Sequence, residues 1–196
     1  MEGVHQPATP SMRRVLCILV VHSFFEPFVA NSGCRRTSLF LDSLKQSVWQ
    51  FLGPDPWGRI VVTGCRGGVL KVWDLHSGHV RHTLDGHSAW VRSVALEGDT
   101  LASASDDHTA AVWNLRSGQL VHTLCGHTNR VCDVALRSKI VATASFDRTA
   151  RVWDVESGQL LHTLEGLSGE APAVALQDGI LAAATRGSTA TLWSTW

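Results

Sequence analysis

The chain has 196 residues, of which 44% are apolar and 17% are charged, and its 17 basic and 17 acidic side chains leave no formal net charge at pH 7. Disordered chains are poor in apolar residues and rich in charge, so this composition predicts a folded chain with a sizeable core. A chain without net positive charge has no bulk field that attracts nucleic acid or an anionic membrane, and we expect neither as a partner.

The segment 1–36 lies outside the pattern that fills the rest of the chain, and we treat it as a non-repeat leader. Its part 13–30 has an arginine pair followed by a short apolar segment, residues 15–21, which resembles a secretory signal. His22 interrupts the apolar stretch, and the bulky Phe28 lies near the expected cleavage position. The apolar segment is too short to span a bilayer. We therefore expect an apolar strand or an unstructured leader, and no membrane association.

The cysteines predict free thiols rather than a disulfide framework or a zinc site. Their number is odd, and no two of them form a C-x-x-C pair. We expect mostly buried thiols in a reducing compartment, which places the protein in the cytoplasm, the nucleus or both. The cysteines are Cys17, Cys34, Cys65, Cys125 and Cys132.

A 40-residue period organises the chain from about residue 37 to its end. Tryptophans recur at this spacing, and Ser-Gly pairs and Val-Ala-Leu triplets recur in the same phase. A fixed period in this range is typical of a repeat architecture whose units stack on one another. The tryptophans in phase are Trp73, Trp113, Trp153 and Trp193.

Each unit predicts a four-stranded antiparallel sheet. In the second unit, runs of strand length are separated by turn residues such as Gly98-Asp99 and Ser117-Gly118. None of these runs is long enough to show a helical period. One sheet cannot bury both of its faces, but stacked sheets can, and this is the propeller arrangement. The predicted fold is all-β, with four blades at about 47–84, 87–124, 127–164 and 167–196.

Polar residues at fixed positions show which family these units resemble. In two units a Gly-His pair is followed, counting from the His, by a hydroxyl after 16 residues, an Asp after 20 and a Trp after 26. The strings LDGH…SASDDHTAAVWN and LCGH…TASFDRTARVWD closely resemble the WD-repeat family. The resemblance implies a WD-repeat β-propeller in which each set forms one hydrogen-bonded structural tetrad. The first tetrad is His87, Ser103, Asp107 and Trp113, and the second is His127, Thr143, Asp147 and Trp153.

The first and fourth units lack this tetrad. Gly67 takes the Asp position of the first unit, while Leu167, Ala183 and Gly187 take the His, hydroxyl and Asp positions of the fourth. We expect apolar packing to hold these two units and their edges to be softer.

Four units predict a partial propeller, because members of the family that the chain resembles commonly have about seven blades. The fourth unit ends after its third strand, and residues 37–41 are the candidate for a closing strand. An open arc exposes a sheet face and edge strands, so we also expect the chain to self-associate.

The repeats do not predict catalysis. One tetrad offers the Asp, His and Ser of a catalytic triad, but the same trio, with Thr for Ser, recurs in the next unit, which favours a structural role. The histidine-rich segment 76–82 suggests a metal, but its last histidine, His82, recurs at His122 and His162 as a repeat position. We expect no enzyme activity, no metal and no cofactor.

The resemblance implies that partners bind where the loops from outer to inner strand, and from second to third strand, emerge. Trp and Arg are enriched at binding hot spots, and guanidinium groups bind carboxylate and phosphate in a bidentate manner. An acidic or phosphorylated peptide is therefore the expected partner, and the alternative is scattered solvated arginines beside a tryptophan that only packs. The candidate contact residues are Trp90, Arg92, Arg130, Phe146, Arg66 and Arg186.

The expected function is a non-catalytic scaffold for protein–protein interaction. A narrower alternative is the substrate-recognition subunit of an SCF-type (F-box/WD) ubiquitin ligase, because the string TASFDRTARVWDVESGQLLHTLEG is similar in style to that subfamily. Residues 1–46 show no F-box helix pattern, so the adaptor-binding half is not expected in this chain. A propeller enzyme is the alternative from a different class.

Overall fold

The computed structural model describes residues 60–74, 76–177, 179–185 and 190–194. All regular structure in these residues is β-strand, arranged in four antiparallel sheets that we call blades 1 to 4. No helix in the described residues is long and apolar enough to cross a membrane. The prediction of an all-β fold with four blades is therefore confirmed.

Blade 1 contains β1 (Ile60–Gly64), β2 (Leu70–Asp74) and β3 (Val80–Leu84). Blade 2 contains β4 (Val91–Glu97), β5 (Thr100–Ser105), β6 (Ala110–Asn114) and β7 (Gln119–Leu124). Blade 3 contains β8 (Val131–Arg137), β9 (Ile140–Ser145), β10 (Ala150–Asp154) and β11 (Leu160–Leu164). Blade 4 contains β12 (Ala173–Gln177), β13 (Ile180–Ala184) and β14 (Ala190–Ser194).

Only the two middle blades have four strands within the described residues. Three elements expected from the sequence lie outside the described residues, and so do two site positions. The elements are the opening strand of blade 1 near 47–52, the closing strand at 37–41 and the apolar segment 15–21. The site positions are Arg186 and Gly187.

The strands of each blade run in chain order from the inside of the arc to its outside. The first strands of blades 2, 3 and 4 lie beside one another, while the last strands of the middle blades carry exposed side chains. Loops that join one blade to the next, and turns between the second and third strands of a blade, emerge at the same end of the sheets. We call this end of the arc the loop end.

The hydrophobic cores lie between consecutive blades. Successive side chains of a strand point to opposite faces of its sheet, so Leu101 packs toward blade 1 and its neighbour Ala102 packs toward blade 3. We call the face toward the preceding blade the trailing face and the face toward the following blade the leading face. Every core pairs a leading face with the trailing face of the next blade. Stacking therefore buries surfaces that one sheet would expose.

Two glycines allow close contacts between blades. Gly68 has φ +83°, and a Cβ atom there would lie 2.1 Å from the carbonyl oxygen of His87 in the next loop. Gly118 has φ +69°, and a Cβ atom there would lie 2.5 Å from Nδ1 of His82 in the preceding blade. Any other residue would have to place a Cβ atom in this narrow space and adopt a left-handed backbone, which only glycine does without strain.

Candidate functional site

The structure brings the four residues of the blade 2 tetrad into one hydrogen-bonded chain. Nδ1 of His87 lies 2.8 Å from Oδ2 of Asp107, and Nε2 lies 2.8 Å from Oγ of Ser103. The indole Nε1–H of Trp113 donates to the same hydroxyl oxygen at 2.8 Å. The histidine comes from the loop before blade 2, so this series of hydrogen bonds connects that loop to the second and third strands of the sheet.

Blade 3 repeats this arrangement with a threonine in place of the serine. Nδ1 of His127 lies 2.7 Å from Oδ2 of Asp147, and Nε2 lies 2.8 Å from Oγ1 of Thr143. Trp153 donates to Oγ1 of Thr143 at 3.0 Å. The same geometry in two consecutive units indicates a structural role for both tetrads.

The hydrogen-bond pattern is satisfied by a neutral histidine. A hydroxyl has one proton, and if Thr143 gives it to Nε2 of His127, the oxygen remains free to accept from the indole. The ring proton then lies on Nδ1 and is donated to Asp147. In agreement, burial lowers the pKa of His127 below its ordinary value, although the carboxylate of Asp147 opposes this.

Each tetrad aspartate accepts hydrogen bonds on both of its carboxylate oxygens. Oδ1 of Asp107 accepts from the backbone N–H of Thr109 at 2.9 Å and from its hydroxyl at 2.6 Å. Oδ2 accepts from the backbone N–H of Ser88 at 3.0 Å as well as from His87. Burial raises the pKa of Asp107, but these donors and the nearby His87 outweigh it and the net pKa is lowered.

Thr109 and its counterpart Thr149 were missed from the sequence. Thr149 donates both its backbone N–H and its hydroxyl to Asp147, at 2.9 and 2.7 Å. The signal was present as an Asp-x-Thr string in phase in both units, the pattern of an Asx-type turn.

The tetrads are built for structure rather than for nucleophilic chemistry. Ser103 and Thr143 have no exposed surface, and each hydroxyl is already used as donor and acceptor within its tetrad. A nucleophile needs a path to its substrate, and neither hydroxyl has one in this structure.

The flanking blades lack the complete tetrad. In blade 1, Nε1 of Trp73 still donates to Oγ1 of Thr63 at 2.9 Å. In blade 4, Leu167 and Ala183 take the His and hydroxyl positions and lie buried in the apolar core against blade 3. Apolar packing thus replaces the polar chain at this interface.

Trp90 is the centre of the first aromatic–arginine cluster at the loop end. It lies in the loop before blade 2, and the guanidinium carbon of Arg92 is 3.9 Å from the centroid of its ring. The guanidinium carbon of Arg66, in the turn between β1 and β2 of blade 1, is 4.9 Å from the ring centroid of the same tryptophan. Cation–π attraction therefore gathers residues of two blades around one indole.

Arg92 is also engaged within the chain. A β-bulge between Val91 and Ser93 leaves Arg92 as the extra residue of β4. Its Nε and Nη2 donate to the two oxygens of Asp106 at 2.7 and 2.6 Å. This bidentate pair raises the pKa of Arg92 and fixes the guanidinium plane over Trp90.

A second cluster occurs one blade further along. The guanidinium carbon of Arg130 is 3.9 Å from the ring centroid of Phe146, and the backbone N–H of Phe146 donates to the carbonyl of Arg130 at 3.1 Å. In the described part of the chain, neither Arg66 nor Arg130 lies within salt-bridge distance of a carboxylate. Of the candidate contact residues, the structure places five at the loop end, and Arg186 lies outside the described residues.

The inner strands carry a polar contact that was not found from the sequence. Asp133 of β8 accepts from the hydroxyl of Ser93 in blade 2 at 2.6 Å and from the backbone N–H of Val174 in blade 4 at 2.9 Å. Burial raises the pKa of Asp133 against these hydrogen bonds. The only sequence signal was a carboxylate within an apolar strand.

The prediction of mostly buried thiols is wrong for the described cysteines, because Cys65 and Cys125 are exposed and Cys132, next to this aspartate, is only partly buried. Burial raises the pKa of Cys132 to about 11, despite the nearby guanidinium groups of Arg130 and Arg92. Because the thiolate is the nucleophilic form, a raised pKa disfavours reaction of this side chain at neutral pH.

The recurring histidines of the outer strands make contacts between blades. The ring of His82 packs against the Gly118 turn of blade 2, and Nε2 of His122 lies 2.9 Å from the backbone oxygen of Glu156 in blade 3. Among the residues that the structure describes, no three His, Cys, Asp or Glu side chains are grouped as a metal site requires.

Comparison with known proteins gives sequence and structural relatives. A family profile described as "WD domain, G-beta repeat" matches residues 78–114 and 118–154. The chain is 44% identical over 54 residues to nuclear distribution protein PAC1-2 of Uncinocarpus reesii, which covers 26% of this chain and 12% of that protein. It is 43% identical over 56 residues to the DENN domain and WD repeat-containing protein SCD1 of Arabidopsis thaliana, which covers 29% of this chain and 5% of that protein. The matched parts are thus a small fraction of these relatives' length.

Solved structures match a larger share of the chain. The computationally designed Ika4 protein superposes with a TM-score of 0.67 at 31% identity, covering 70% of this chain and 86% of that one. The computationally designed Ika8 protein superposes with a TM-score of 0.66 at 29% identity, covering 73% of this chain and 44% of that one.

Proposed function

This chain belongs to the WD-repeat family, and we propose that it is a non-catalytic scaffold that binds protein partners at its loop end. The observation that carries the proposal is the pair of aromatic–arginine clusters, one around Trp90 and one at Phe146. In each cluster a backbone hydrogen bond joins a turn to the loop before the same blade, from the N–H of Asp106 to the carbonyl of Trp90 and from the N–H of Phe146 to the carbonyl of Arg130. A pre-organised surface loses little conformational entropy when a partner binds.

The chemistry of the clusters favours an acidic or phosphorylated peptide. Arg66 and Arg130 stack on aromatic rings, which orients their guanidinium groups, and a carboxylate or phosphate can accept from both donors of such a group. Arg92 has a different role in this proposal, because its donors are used by Asp106 and an incoming anion would compete with that carboxylate. We assign the anion contacts to Arg66 and Arg130, the apolar contacts to Trp90 and Phe146, and the positioning of Trp90 to Arg92.

The test uses a peptide array that presents each acidic sequence in phosphorylated and unphosphorylated form. We expect the double variant Arg66→Ala/Arg130→Ala to weaken binding to the peptides that the unaltered chain selects, by about tenfold or more, since truncation of a hot-spot residue has effects of that size. We expect Trp90→Ala to weaken binding to the same peptides.

Arg116→Ala is the matched control, because Arg116 is exposed on a turn at the opposite end of the sheets and pairs with Asp99. All variants should keep the melting temperature of the unaltered chain. Peptide binding that is unchanged by all of the loop-end substitutions would contradict the proposed surface.

The narrower role as substrate-recognition subunit of an SCF-type ubiquitin ligase remains a prediction from the style of the repeats. Affinity purification of the chain from cells, followed by mass spectrometry, distinguishes it from a general scaffold. Recovery of ubiquitin-ligase subunits would support the narrower role, whereas recovery of other partners alone would favour the general one. A cytoplasmic or nuclear site is proposed with it, because Cys65 and Cys125 are exposed thiols, which suit a reducing compartment.

Self-association is a further part of the proposal. The exposed apolar side chains on the sheets include Ile180 and Leu192 of blade 4, and contiguous exposed apolar surface is typical of an interface. The mass of the chain in solution, measured by sedimentation, tests this directly.

A further inference from the structure

The leading face of blade 4 is more exposed than the same face of the middle blades, where the counterparts of Ile180, Thr100 and Ile140, are partly exposed and most other positions are buried. Leu192 and Ile180 of this face are 69% and 49% exposed. The residue that takes the place of Leu192 in blade 2 is Val112, and in blade 3 it is Val152, which are 1% and 0% exposed. Small residues continue the pattern, since Ala184 and Ala190 of blade 4 are exposed and their counterparts in blades 2 and 3 are completely buried. These counterparts are Ala104, Ala110, Ala144 and Ala150.

The trailing face of blade 1 shows the complementary pattern. Val61, Thr63 and Trp73 of this face are partly exposed, and Lys71 between them is exposed. The counterparts of Val61 and Trp73 in blade 2, Leu101 and Trp113, are 0% and 1% exposed because blade 1 covers them.

We propose that two copies of the chain assemble head to tail, with the leading face of blade 4 in each copy packed on the trailing face of blade 1 in the other. This inference rests on the proposed self-association and names the surfaces and the number of copies. The assembly continues the series of three leading-on-trailing interfaces that each chain already contains. It yields a ring of eight blades.

The residue types of the two faces fit this contact. Inside the chain, a leading face of alanine and aliphatic residues packs against a trailing face with a tryptophan and an aliphatic residue, as Ala102 and Val112 do against Val141 and Trp153. The two exposed faces offer the same combination, Ala182 and Leu192 on one and Val61 and Trp73 on the other. Lys71 does not prevent the contact, because the trailing face of blade 3 places Arg151 at the equivalent position of an internal interface.

The occupant is a second copy rather than the chain's own other end. If blade 4 met blade 1 of the same chain, Leu192 and Trp73 would be buried, but both keep exposed surface. The arc superposes on most of the Ika4 chain but on only 44% of the Ika8 chain, so the Ika8 chain is about twice as long as the part of it that the arc matches. A head-to-tail contact makes a closed ring only when its rotation completes a full turn, and the proposal requires that two such arcs complete it.

The experiment measures the mass of the full 196-residue chain by sedimentation velocity and light scattering. We expect a species of twice the 21.3 kDa chain mass. Leu192→Lys places a charge on the leading face of blade 4 and should raise the dissociation constant by about tenfold or more, leaving mostly monomer. Leu161→Lys is the matched control, because Leu161 is 43% exposed on the outer strand of blade 3 and belongs to neither face. It should remain a dimer.

Mixing two variants tests the head-to-tail arrangement. Val61→Lys disables the trailing face of blade 1, so it should also be monomeric alone. A mixture of Leu192→Lys and Val61→Lys retains one intact leading face and one intact trailing face, and we expect dimers to return in it. If two identical faces met instead, the mixture would contain no new dimer.

Each remaining outcome also decides the matter. A monomer at concentrations of tens of micromolar, about the range in which weak interfaces assemble, overturns both self-association and the ring. A dimer that Leu192→Lys does not weaken supports self-association but overturns the assigned faces, and a series of larger assemblies overturns closure by two copies.

Peptide binding is scored separately, since Leu192→Lys leaves Arg66 and Arg130 unchanged. All variants must first match the unaltered chain in circular dichroism.

Discussion

One hydroxyl oxygen joins three structural elements in each complete tetrad. Oγ1 of Thr143 lies on β9, accepts from Trp153 of β10 and contacts the ring of His127 in the loop before the blade. Because it has no exposed surface, water cannot replace a lost partner without opening the interface. The stability that the tetrad provides therefore depends on this hydroxyl oxygen. A serine supplies it in blade 2 and a threonine supplies it in blade 3.

We predict that Thr143→Val destabilises the fold by about 2 kcal/mol, because it leaves the indole N–H and Nε2 of the histidine buried without a partner. Thr143→Ser is the matched control, since blade 2 uses serine at this position as Ser103. It removes only one buried methyl group and should cost about 1 kcal/mol or less. Urea unfolding of the three chains gives the comparison. Equal stability of the valine and serine variants would contradict the hydroxyl's role.

The stability of the fold should fall in two steps on acidification. Burial holds the pKa of His127 below its ordinary value of 6.5, so its contribution is complete above pH 6.5 and is lost as the pH falls toward the lowered pKa. The pKa values of Asp107 and Asp147 are also lowered, despite burial that raises them, because of hydrogen bonds from Thr109 and Thr149 and from the histidines. Their contribution is complete above pH 3.8 and is lost below it.

The free energy of unfolding, measured in urea between pH 8 and pH 5, should therefore decrease with falling pH by up to about 1.4 kcal/mol per pH unit for one proton. His127→Gln removes the titrating ring, so the slope near pH 6 should become shallower even though the protein is less stable. A slope that the substitution leaves unchanged would assign the effect to other groups.

At the scale of the blade, the two middle sheets differ from the flanking sheets in how they are held. Blades 2 and 3 have four strands, a complete tetrad and neighbours on both faces. Blade 4 has lost the tetrad, and its strand β14 has alternating exposed and partly exposed residues throughout. Stability in stacked repeats is close to a sum of nearest-neighbour terms, so a blade with one covered face should open first.

Amide hydrogen exchange should follow this order. On the monomeric Leu192→Lys chain, we expect amides of β9 and β10 to exchange at least about tenfold more slowly than those of β13 and β14, because the latter open without disrupting a tetrad. Mass spectrometry of peptic fragments resolves the strands. Uniform protection over blades 2 to 4 would show instead that the arc unfolds as one unit.

The blades could be predicted from the sequence because the period repeats four times and the strand runs are local. Contacts that pass between blades could not be predicted in the same way. Asp133 bonds to residues 40 and 41 positions away in two different blades, and the pairing of Arg92 with Asp106 depends on a β-bulge that moves one side chain out of register. The spacing of residues along the sequence predicts which residues recur in each blade. The hydrogen-bond partner of each residue depends on how neighbouring sheets are stacked.

At the scale of the whole arc, the two proposed surfaces are separate. The aromatic–arginine clusters lie on loops at one end of the sheets, whereas the leading face of blade 4 and the trailing face of blade 1 are the broad faces of the sheets at the two ends of the series. Head-to-tail closure would leave the loop end open and place two copies of it on one rim. A partner with two acidic segments would then bind with a gain from effective concentration that a monomer cannot provide.

The uniform leading-on-trailing contact has a further consequence for how such a chain can change in length. Each 40-residue unit presents the same kind of surface to its successor as its predecessor presents to it. An in-phase duplication or deletion of one unit therefore creates no new type of junction, because the two surfaces brought together are already compatible. We therefore expect gene rearrangements that respect this phase to alter the number of blades without creating a new kind of interface, and those that break it to separate a tetrad histidine from its aspartate.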